Sequence, residues 1–373
     1  MKINMFRILV IMLLQSFWAN ALPAQTRITT LQGEGFVVQT SATGEADRVY
    51  VGSYDTIFCL DARAGKIVWS HKTPYGTVDV GPIMASGVLV YAGGGGHFTI
   101  YGLDPETGRQ EWEVQHRTSL LIAGDGMVFA NTQFGNGVVA FEAGTGKLKW
   151  TYDKAGSGSL DRLHYYRGSV YTTDYVLAAS VGRVLWQLPS SARAFSAGDD
   201  EIFIFDENLS LAAVPPDSRA PIWQDRVGKD MEVAGLASSG RRVFAVVYDG
   251  YPGSAKNGTV YAYNAQNGTP LWNRHLATSG GFLSWDPIRS DAENVYLLVP
   301  GATTNQSILE CWRAASGTTI WTYKNDAGLI GPVAIVSQEV YANDDVGHIY
   351  VVDSNSGRLL RTLSYPSPHP AKH

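Results

Sequence analysis

Short runs of alternating apolar and polar residues recur along this chain, and turn-forming residues separate them. In the stretch from Arg48 to Asp61 (RVYVGSYDTIFCLD), two alternating runs flank a polar turn. Alternation with this period predicts half-buried β-strands joined by hairpins. The composition agrees, because the chain is rich in Gly, Tyr and Trp and only 17% of its residues are charged. The pattern therefore predicts an all-β protein with little helix.

An eleven-residue segment that usually ends in tryptophan recurs about every forty residues. Its copies are CLDARAGKIVW (59–69), GLDPETGRQEW (102–112), AFEAGTGKLKW (140–150), VLAASVGRVLW (176–186), AVPPDSRAPIW (213–223), AYNAQNGTPLW (262–272), CWRAASGTTIW (311–321) and VVDSNSGRLLR (351–361). The final residues of successive copies are 36 to 49 positions apart, and a period of this size is typical of propellers and solenoids.

Each residue type in the motif has a physical role. An acidic residue or Asn at the third position can accept hydrogen bonds from turn amides, and Gly at the seventh can adopt the positive φ that closes the turn. Trp at the eleventh position is too large for one four-stranded sheet to bury. We therefore expect it to pack on the next sheet, where its burial contributes roughly 4 to 6 kcal/mol as an upper bound. These docking tryptophans are Trp69, Trp112, Trp150, Trp186, Trp223, Trp272 and Trp321.

Each repeat is expected to contain three strands, the motif turn and a fourth strand. In the last repeat the four strands are GPVAIVS, EVYANDD, HIYVVD and RLLRTL. Eight repeats predict an eight-bladed β-propeller of four-stranded antiparallel blades, with a linear solenoid as the alternative. We expect one domain over residues 25–373, with a core at 33–365 and a tail at 366–373, because no linker or charge block divides the chain.

The N-terminus has the pattern of an export signal. Lys2 and Arg7 precede the apolar run from Ile8 to Trp18, and small residues follow at 19–24, which predicts a signal peptide over residues 1–24. A signal anchor is the alternative, although the run is short for a bilayer span. No cysteine closely follows the run, so no lipoprotein anchor is predicted. The expected location is periplasmic or extracellular, with no transmembrane segment after cleavage.

The repeated motif resembles the tryptophan-docking motif of the PQQ-repeat, or quinoprotein-like, β-propeller superfamily. The resemblance covers roughly residues 33–365 and implies the eight-bladed fold. It leaves the function open, because the superfamily holds both PQQ-dependent dehydrogenases and non-catalytic assembly propellers of the BamB type. This chain resembles the non-catalytic members more closely.

Three copies depart from the motif. Blade four has Ala178 at the acidic position, blade five has Arg219 in place of the glycine, and blade eight has Arg361 in place of the tryptophan. We therefore expect blades four, five and eight to pack least regularly. Arg361 is expected to cover its neighbour with the aliphatic part of its side chain, so that its removal costs much less stability than removal of a docking tryptophan.

The cysteines bear on catalysis. The resemblance implies that a dehydrogenase of the superfamily holds PQQ beside two adjacent cysteines, with Ca²⁺ and an aspartate base nearby. Here Cys59 and Cys311 occupy the first motif position of blades one and seven, which are not neighbours in an eight-bladed ring. We therefore expect two free, buried thiols and no cofactor. A PQQ- and calcium-dependent alcohol or sugar oxidoreductase is the alternative function.

Other candidate chemistry is weakly indicated. The eight histidines show no spacing typical of a metal site. The stretch GGGGHF at 93–98 is interpreted as a hairpin loop, because no helix follows it to form a phosphate site. The acidic residues of SYD (53–55) and NDD (343–345) fall in hairpins, where we expect them to stabilise the turn rather than to bind calcium.

These observations favour a non-enzymatic binding or assembly scaffold. The longest loops, at 248–259 and 275–287, are expected on one face around the channel mouth. The candidate residues on that face are Asp79, Asp161, Arg162, Arg193, Glu232, Tyr251, Phe282, Trp285 and Asp286. The net charge of −5 leaves no basic stripe, so nucleic acid is not an expected partner. We expect a monomer that binds a protein or a small molecule.

Overall fold

The eight repeats form eight separate sheets. The computed structural model describes residues 36–41, 46–132, 137–153, 162–216, 218–228, 231–250, 257–277, 287–300, 307–325, 328–344 and 346–367. These ranges contain 32 strands in eight four-stranded antiparallel sheets, and each sheet consists of four consecutive strands. The predicted eight-bladed all-β architecture is confirmed. One 3₁₀ turn, Gly95–His97, is the only helical segment within these ranges.

The strands of the first four blades have the following bounds: β1 Phe36–Thr40, β2 Ala46–Ser53, β3 Thr56–Asp61 and β4 Ile67–Lys72; β5 Val78–Ala85, β6 Val88–Gly93, β7 Thr99–Leu103 and β8 Gln110–Gln115; β9 Leu121–Gly124, β10 Met127–Asn131, β11 Gly137–Glu142 and β12 Leu148–Asp153; β13 Leu163–Tyr166, β14 Ser169–Thr172, β15 Tyr175–Ala178 and β16 Val184–Gln187.

The strands of the last four blades have the following bounds: β17 Ala192–Ala197, β18 Ile202–Asp206, β19 Ser210–Val214 and β20 Trp223–Arg226; β21 Glu232–Ser239, β22 Arg242–Tyr248, β23 Asn257–Asn264 and β24 Pro270–Ala277; β25 Ile288–Ser290, β26 Asn294–Pro300, β27 Ser307–Arg313 and β28 Thr319–Asn325; β29 Leu329–Val336, β30 Glu339–Asp344, β31 His348–Asp353 and β32 Leu359–Ser364.

The core is divided among the junctions between blades. Each of eight apolar clusters combines buried side chains from two neighbouring blades. One of them joins Phe36, Val51 and Leu60 of blade one to Tyr341 and Leu363 of blade eight. The ring is therefore closed by direct packing of its last blade on its first, and the described residues show no strand exchanged between these two blades.

The motif turn has the predicted geometry. The Oδ1 atom of Asp61 accepts hydrogen bonds from the backbone amides of Arg63 and Ala64, at 2.9 and 2.6 Å. The seven motif glycines have φ between 66° and 71°, in the left-handed region that residues with a side chain rarely adopt. The proposed roles of the third and seventh positions are confirmed.

The tryptophan rings lie on the turn of the following blade. A Cβ atom on Gly108 would sit 2.5 Å from the ring of Trp69, so only glycine allows this contact. The Trp69 indole also donates to the carbonyl oxygen of Pro105, the fourth motif residue of blade two, at 2.9 Å. Equivalent bonds of 2.6–3.0 Å extend from the other docking tryptophans except Trp186.

The first motif position is small for an additional reason. Its residue is the cross-strand neighbour of the tryptophan in its own blade, as in the pair Cys59 and Trp69. At Gly102 an added Cβ atom would lie 2.1 Å from the ring of Trp112. The first position must therefore make room for the ring of its own repeat as well as for the neighbouring sheet.

Blade eight differs from expectation. The Arg361 guanidinium donates two hydrogen bonds, of 2.6 and 2.8 Å, to the Glu339 carboxylate. Its Nε atom donates to the carbonyl oxygen of Ala62 at 2.7 Å, which is the bond that a docking tryptophan makes elsewhere. Arg361 therefore does more than cover its neighbour with an aliphatic stem, because its guanidinium group makes the hydrogen bond to the next blade that a docking tryptophan makes elsewhere.

Blades four and five are less regular, as expected. All four strands of blade four are only four residues long. In blade five the pairing of β19 with β20 ends at Ala213 and Trp223, whereas the other blades continue through a bulge at this point. The turn that should receive Trp186 therefore has a different backbone path.

Candidate functional site

One end of the ring carries the hairpins between the second and third strands and the linkers between blades. We call this end the loop face. Four sequence-predicted residues lie where innermost strands begin on this face: Asp79 in β5, Arg162 just before β13, Arg193 in β17 and Glu232 in β21. Five others lie outside the described residues, namely Asp161, Tyr251, Phe282, Trp285 and Asp286.

The four described residues are spread around the ring. The Arg193 side chain is 51% exposed and lies 3.7 Å from the Glu207 carboxylate, a separation and exposure at which an ion pair contributes little. Asp79 is exposed and accepts a 2.7 Å hydrogen bond from the Thr77 hydroxyl. Asp79 and Arg193 also lie at irregularities of the strand register, where a bulge re-aims the side chain.

A second group of residues on the loop face was missed by the sequence analysis. We call Tyr54, Tyr75, His97 and Phe98 the aromatic surface. Tyr54 and Tyr75 are 59% and 55% exposed, and the Tyr75 ring lies on the exposed His97 ring with centroids 4.4 Å apart. The Arg117 guanidinium lies 4.0 Å from the centre of the Phe98 ring. Aromatic rings and Arg are enriched in binding sites, so this surface is a candidate contact site.

The backbone under the aromatic surface is tightly fixed. The Gly94 amide donates a hydrogen bond to the carbonyl oxygen of Thr77 at 2.9 Å. This bond joins the linker after blade one to the hairpin between β6 and β7 of blade two. Gly76 has a φ of 66°, and a Cβ atom there would lie 2.5 Å from the backbone nitrogen of Gly95. Two backbone segments therefore pack in direct contact. The glycine-rich stretch therefore forms a closely packed hairpin that supports the aromatic surface.

Two of the aromatic residues occupy unusual backbone positions. Tyr54 and Phe98 have φ values of 50° and 48°, in the left-handed region where bulky side chains are uncommon. Turns of this kind are more easily formed by Gly, Asn or Asp. Large rings at these two positions therefore reduce the ease of turn formation and place apolar surface on the loop face.

Asn131 organises the next linker. It is 2% exposed, and its Oδ1 atom accepts hydrogen bonds from the Ser119 and Leu120 amides, at 3.0 Å each, and from the Thr118 hydroxyl at 2.8 Å. These residues directly follow Arg117. The buried amide therefore fixes the linker that presents Arg117 to the aromatic surface.

The acidic residues of the hairpins stabilise turns. The Asp55 carboxylate accepts a bond from the Thr56 hydroxyl and pairs with Lys72 at 3.1 Å, and these two contacts, the hydroxyl first, hold the pKa of Asp55 below its usual range. Asp344 is buried and accepts bonds from the backbone and ring of His348 and from the Tyr350 hydroxyl. The expected turn role is confirmed for Asp344, which accepts bonds from the Val346 and His348 amides, whereas the Asp55 side chain contacts a neighbouring hydroxyl and a lysine of β4.

The cysteines are buried in separate blade junctions. Cys59 and Cys311 are free thiols, and they belong to the clusters between blades one and two and between blades seven and eight. Burial raises the pKa of both thiols to about 12. Within the described ranges, no group of three or more His, Cys, Asp or Glu side chains is arranged to hold a metal ion.

The fold and the repeated docking motif define a PQQ-repeat β-propeller. A family model described as outer membrane protein assembly factor BamB matches residues 15–163, 154–282 and 256–369. The chain belongs to this family. In the described part of the chain, no helix is long and apolar enough to cross a membrane.

Individual relatives include both kinds of propeller. The outer membrane protein assembly factor BamB of Burkholderia pseudomallei is 23% identical over 90% of this chain and 78% of that protein. The quinohemoprotein alcohol dehydrogenase ADH-IIG of Pseudomonas putida is 28% identical, but over 46% of this chain and 27% of that enzyme. The crystal structure of BamB from Moraxella catarrhalis superposes with a TM-score of 0.57 at 15% identity, covering 76% of this chain and 87% of that one.

The sequence contained a signal for the aromatic surface. The stretches SYD, TPYGT and GGGGHF each place an aromatic or histidine residue in a short polar or glycine-rich loop, which is the same criterion that selected Tyr251, Phe282 and Trp285. Taken singly, these stretches are typical of turns. Their proximity depends on the contacts between the blade-one linker and two hairpins, which cannot be derived from the motif spacing.

Proposed function

We propose that this protein is an exported, non-enzymatic binding scaffold of the cell envelope whose partner is a protein that contacts the loop face. The aromatic surface is the single observation that carries the proposal. Two tyrosines that are more than half exposed lie on a rigid support, and such residues contribute a large share of the energy at protein interfaces.

The rigidity of this surface supports a binding role. Association loses less entropy when the contact residues are held in place before binding. Tyr54 and Tyr75 are on loops joined by backbone hydrogen bonds, because the Val78 amide donates to the carbonyl oxygen of Tyr54 at 2.5 Å. Arg117 is held by the buried Asn131 network. The surface therefore has the features of a preformed interface.

The residues at the channel mouth extend the proposed site. Asp79, near the start of β5, accepts a hydrogen bond from Thr77 of the linker that carries Tyr75, so the aromatic surface adjoins the start of the innermost strand of blade two. Trp285 and Asp286, which lie outside the described residues, stay predicted members of the partner face. We expect Trp285→Ala and Asp286→Asn to weaken partner binding by about 1 kcal/mol or more, the scale of an interface anchor.

The proposed location rests on the N-terminal sequence and on the family. The matching family is described as an outer membrane protein assembly factor, and the charge and apolar pattern of residues 1–24 is that of an export signal. A partner within the periplasm or at the envelope is consistent with both. Determining the mature N-terminus by mass spectrometry tests export, and an uncleaved chain would contradict it.

A quinoprotein oxidoreductase is the alternative function. The match to a quinohemoprotein alcohol dehydrogenase favours it. However, the adjacent cysteine pair implied for PQQ binding does not fit this chain, because Cys59 and Cys311 are buried in separate blade junctions. Purified protein incubated with PQQ and Ca²⁺ should show no bound quinone absorbance and no dye-linked alcohol or sugar oxidation; clear turnover would replace the scaffold proposal.

The scaffold proposal is tested by comparative capture. Tagged wild-type protein, a Tyr54→Ala/Tyr75→Ala variant and a Leu148→Ala control are used to capture crosslinked proteins from the exporting cell. Leu148 is 53% exposed on the outer strand β12, so the control removes apolar surface away from the loop face. A partner retained by wild type and control but lost by the double variant supports the proposal. A partner retained by all three would place the interface elsewhere.

A further inference from the structure

The junction between blades four and five is built differently from the others. At the other tryptophan junctions, the ring lies on the motif glycine of the next blade, as Trp150 lies on Gly182. Blade five has Arg219 at that position. There the Arg219 guanidinium donates to the carbonyl oxygen of Leu185 at 3.1 Å, so a side chain of the receiving blade reaches back across the junction.

The apolar packing of this junction is limited. Its cluster contains eight buried residues, against nine to fourteen at the other seven junctions, and Trp186 packs against it as a partly buried ring. Because apolar burial is the main favourable term in such packing, the smaller cluster gives less stabilisation. Among the described residues, β13 and β17 also make the weakest contact of any two neighbouring first strands. The inner wall is therefore least continuous here.

Polar contacts of the buried Tyr166 and the exposed Arg167 also connect the two blades. The Tyr166 hydroxyl lies 3.2 Å from the carbonyl oxygens of both Gly198 and Asp199. The Arg167 guanidinium lies 3.3 Å from the Asp200 carboxylate, but these side chains are 52% and 88% exposed. Ion pairs with this exposure are screened by solvent and salt and contribute little. They therefore add little to a cluster on which the Trp186 ring packs without the motif glycine found at the other tryptophan junctions.

From these observations we infer that the ring has a built-in opening point between blades four and five, where the blades separate locally while the other junctions stay closed. Proteins open in cooperative units whose stability follows local packing. Opening would change the separation of Arg162 and Arg193, which lie where the innermost strands of the two flanking blades begin. Opening at this junction would therefore make one sector of the loop face mobile.

Hydrogen exchange followed by mass spectrometry of the full chain tests this inference. Peptides covering β13 to β20 should exchange first and as one unit, with slower exchange in β1–β4 and β29–β32, where the chain ends meet. Earliest exchange in blades one and eight would overturn the inference. Simultaneous exchange of all blades would also overturn it, since it indicates global opening.

A variant tests the role of the polar contacts. Arg167→Ala combined with Arg219→Ala should accelerate exchange in blades four and five by about threefold or more and leave blades one and eight unchanged. The matched control is Arg109→Ala, because Arg109 is 75% exposed and pairs with Glu111 within blade two. Unchanged exchange in the double variant, or equal acceleration in every blade, would contradict the assignment of the opening point to this junction.

Discussion

The contact that closes the ring allows a quantitative prediction. Replacing Arg361 with Ala removes the bidentate bond to Glu339, the 2.7 Å bond to Ala62 and the 3.0 Å bond to the Tyr341 hydroxyl. The two charged side chains are only 23% and 24% exposed, so the substitution leaves the glutamate carboxylate poorly solvated. We expect Arg361→Ala to destabilise the protein clearly.

The magnitude follows from the exposure of the pair. Breaking a fully buried ion pair by removing one partner costs about 3 to 5 kcal/mol, whereas an exposed pair contributes about 0 to 1 kcal/mol. Arg361 and Glu339 are closer to the buried case. We therefore expect a loss of about 2 to 3 kcal/mol in the free energy of unfolding, comparable with the loss of a docking tryptophan at the low end of its range.

The pH dependence gives a second measurement. Burial opposes ionisation of Glu339, but hydrogen bonds from Arg361 and Tyr341 outweigh it and hold the pKa of Glu339 below its usual value. A depressed carboxyl pKa stabilises the fold above the pKa of the unfolded chain, and this contribution is lost as the pH falls through the folded pKa. The stability difference between wild type and Arg361→Ala should therefore shrink in acid.

Urea unfolding of wild type, Arg361→Ala, Glu339→Gln and the double variant measures these effects. The midpoints should shift at constant m-value, and the double variant should be less destabilised than the sum of the two single changes, because the residues interact directly. Arg109→Ala serves as the exposed control. A loss below about 0.5 kcal/mol for Arg361→Ala, the range of ordinary surface changes, would restore the simple aliphatic-cover interpretation.

Three further predictions concern other parts of the ring. Trp112→Ala should cost about 3 to 5 kcal/mol in urea unfolding, because this ring is 8% exposed and lies on Gly146; a cost below about 1 kcal/mol would contradict docking. Asn131→Ala should lower the free energy of unfolding by about 2 kcal/mol or more, because it leaves buried backbone amides unpaired. An unchanged melting temperature would show that these hydrogen bonds do not stabilise the fold. Cys59 and Cys311 should react with a thiol reagent only on unfolding, since burial raises their pKa to about 12; rapid labelling of the native protein would disprove this.

The local repeat determined most of the fold. Strand order, the turn at each motif and the glycine backbone conformation depend on residues within about eleven positions of one another, as at Asp61 and Gly65. Such contacts are specified by residue type and spacing. The eight copies of the motif then predicted eight similar sheets. These sheets must pack on one another, since a large ring at the end of each motif cannot be buried within one sheet.

The closing junction and the aromatic surface were decided only by the tertiary structure. Arg361 meets Ala62, 299 positions away in the chain, and the linker at Tyr75 packs between two hairpins. The sequence indicated an exception at 361, but it could not show that Glu339 and Tyr341 would surround the guanidinium. Ring closure brings the first and last blades together, and the geometry of that meeting depends on the accumulated twist and packing of all eight sheets rather than on any local pattern.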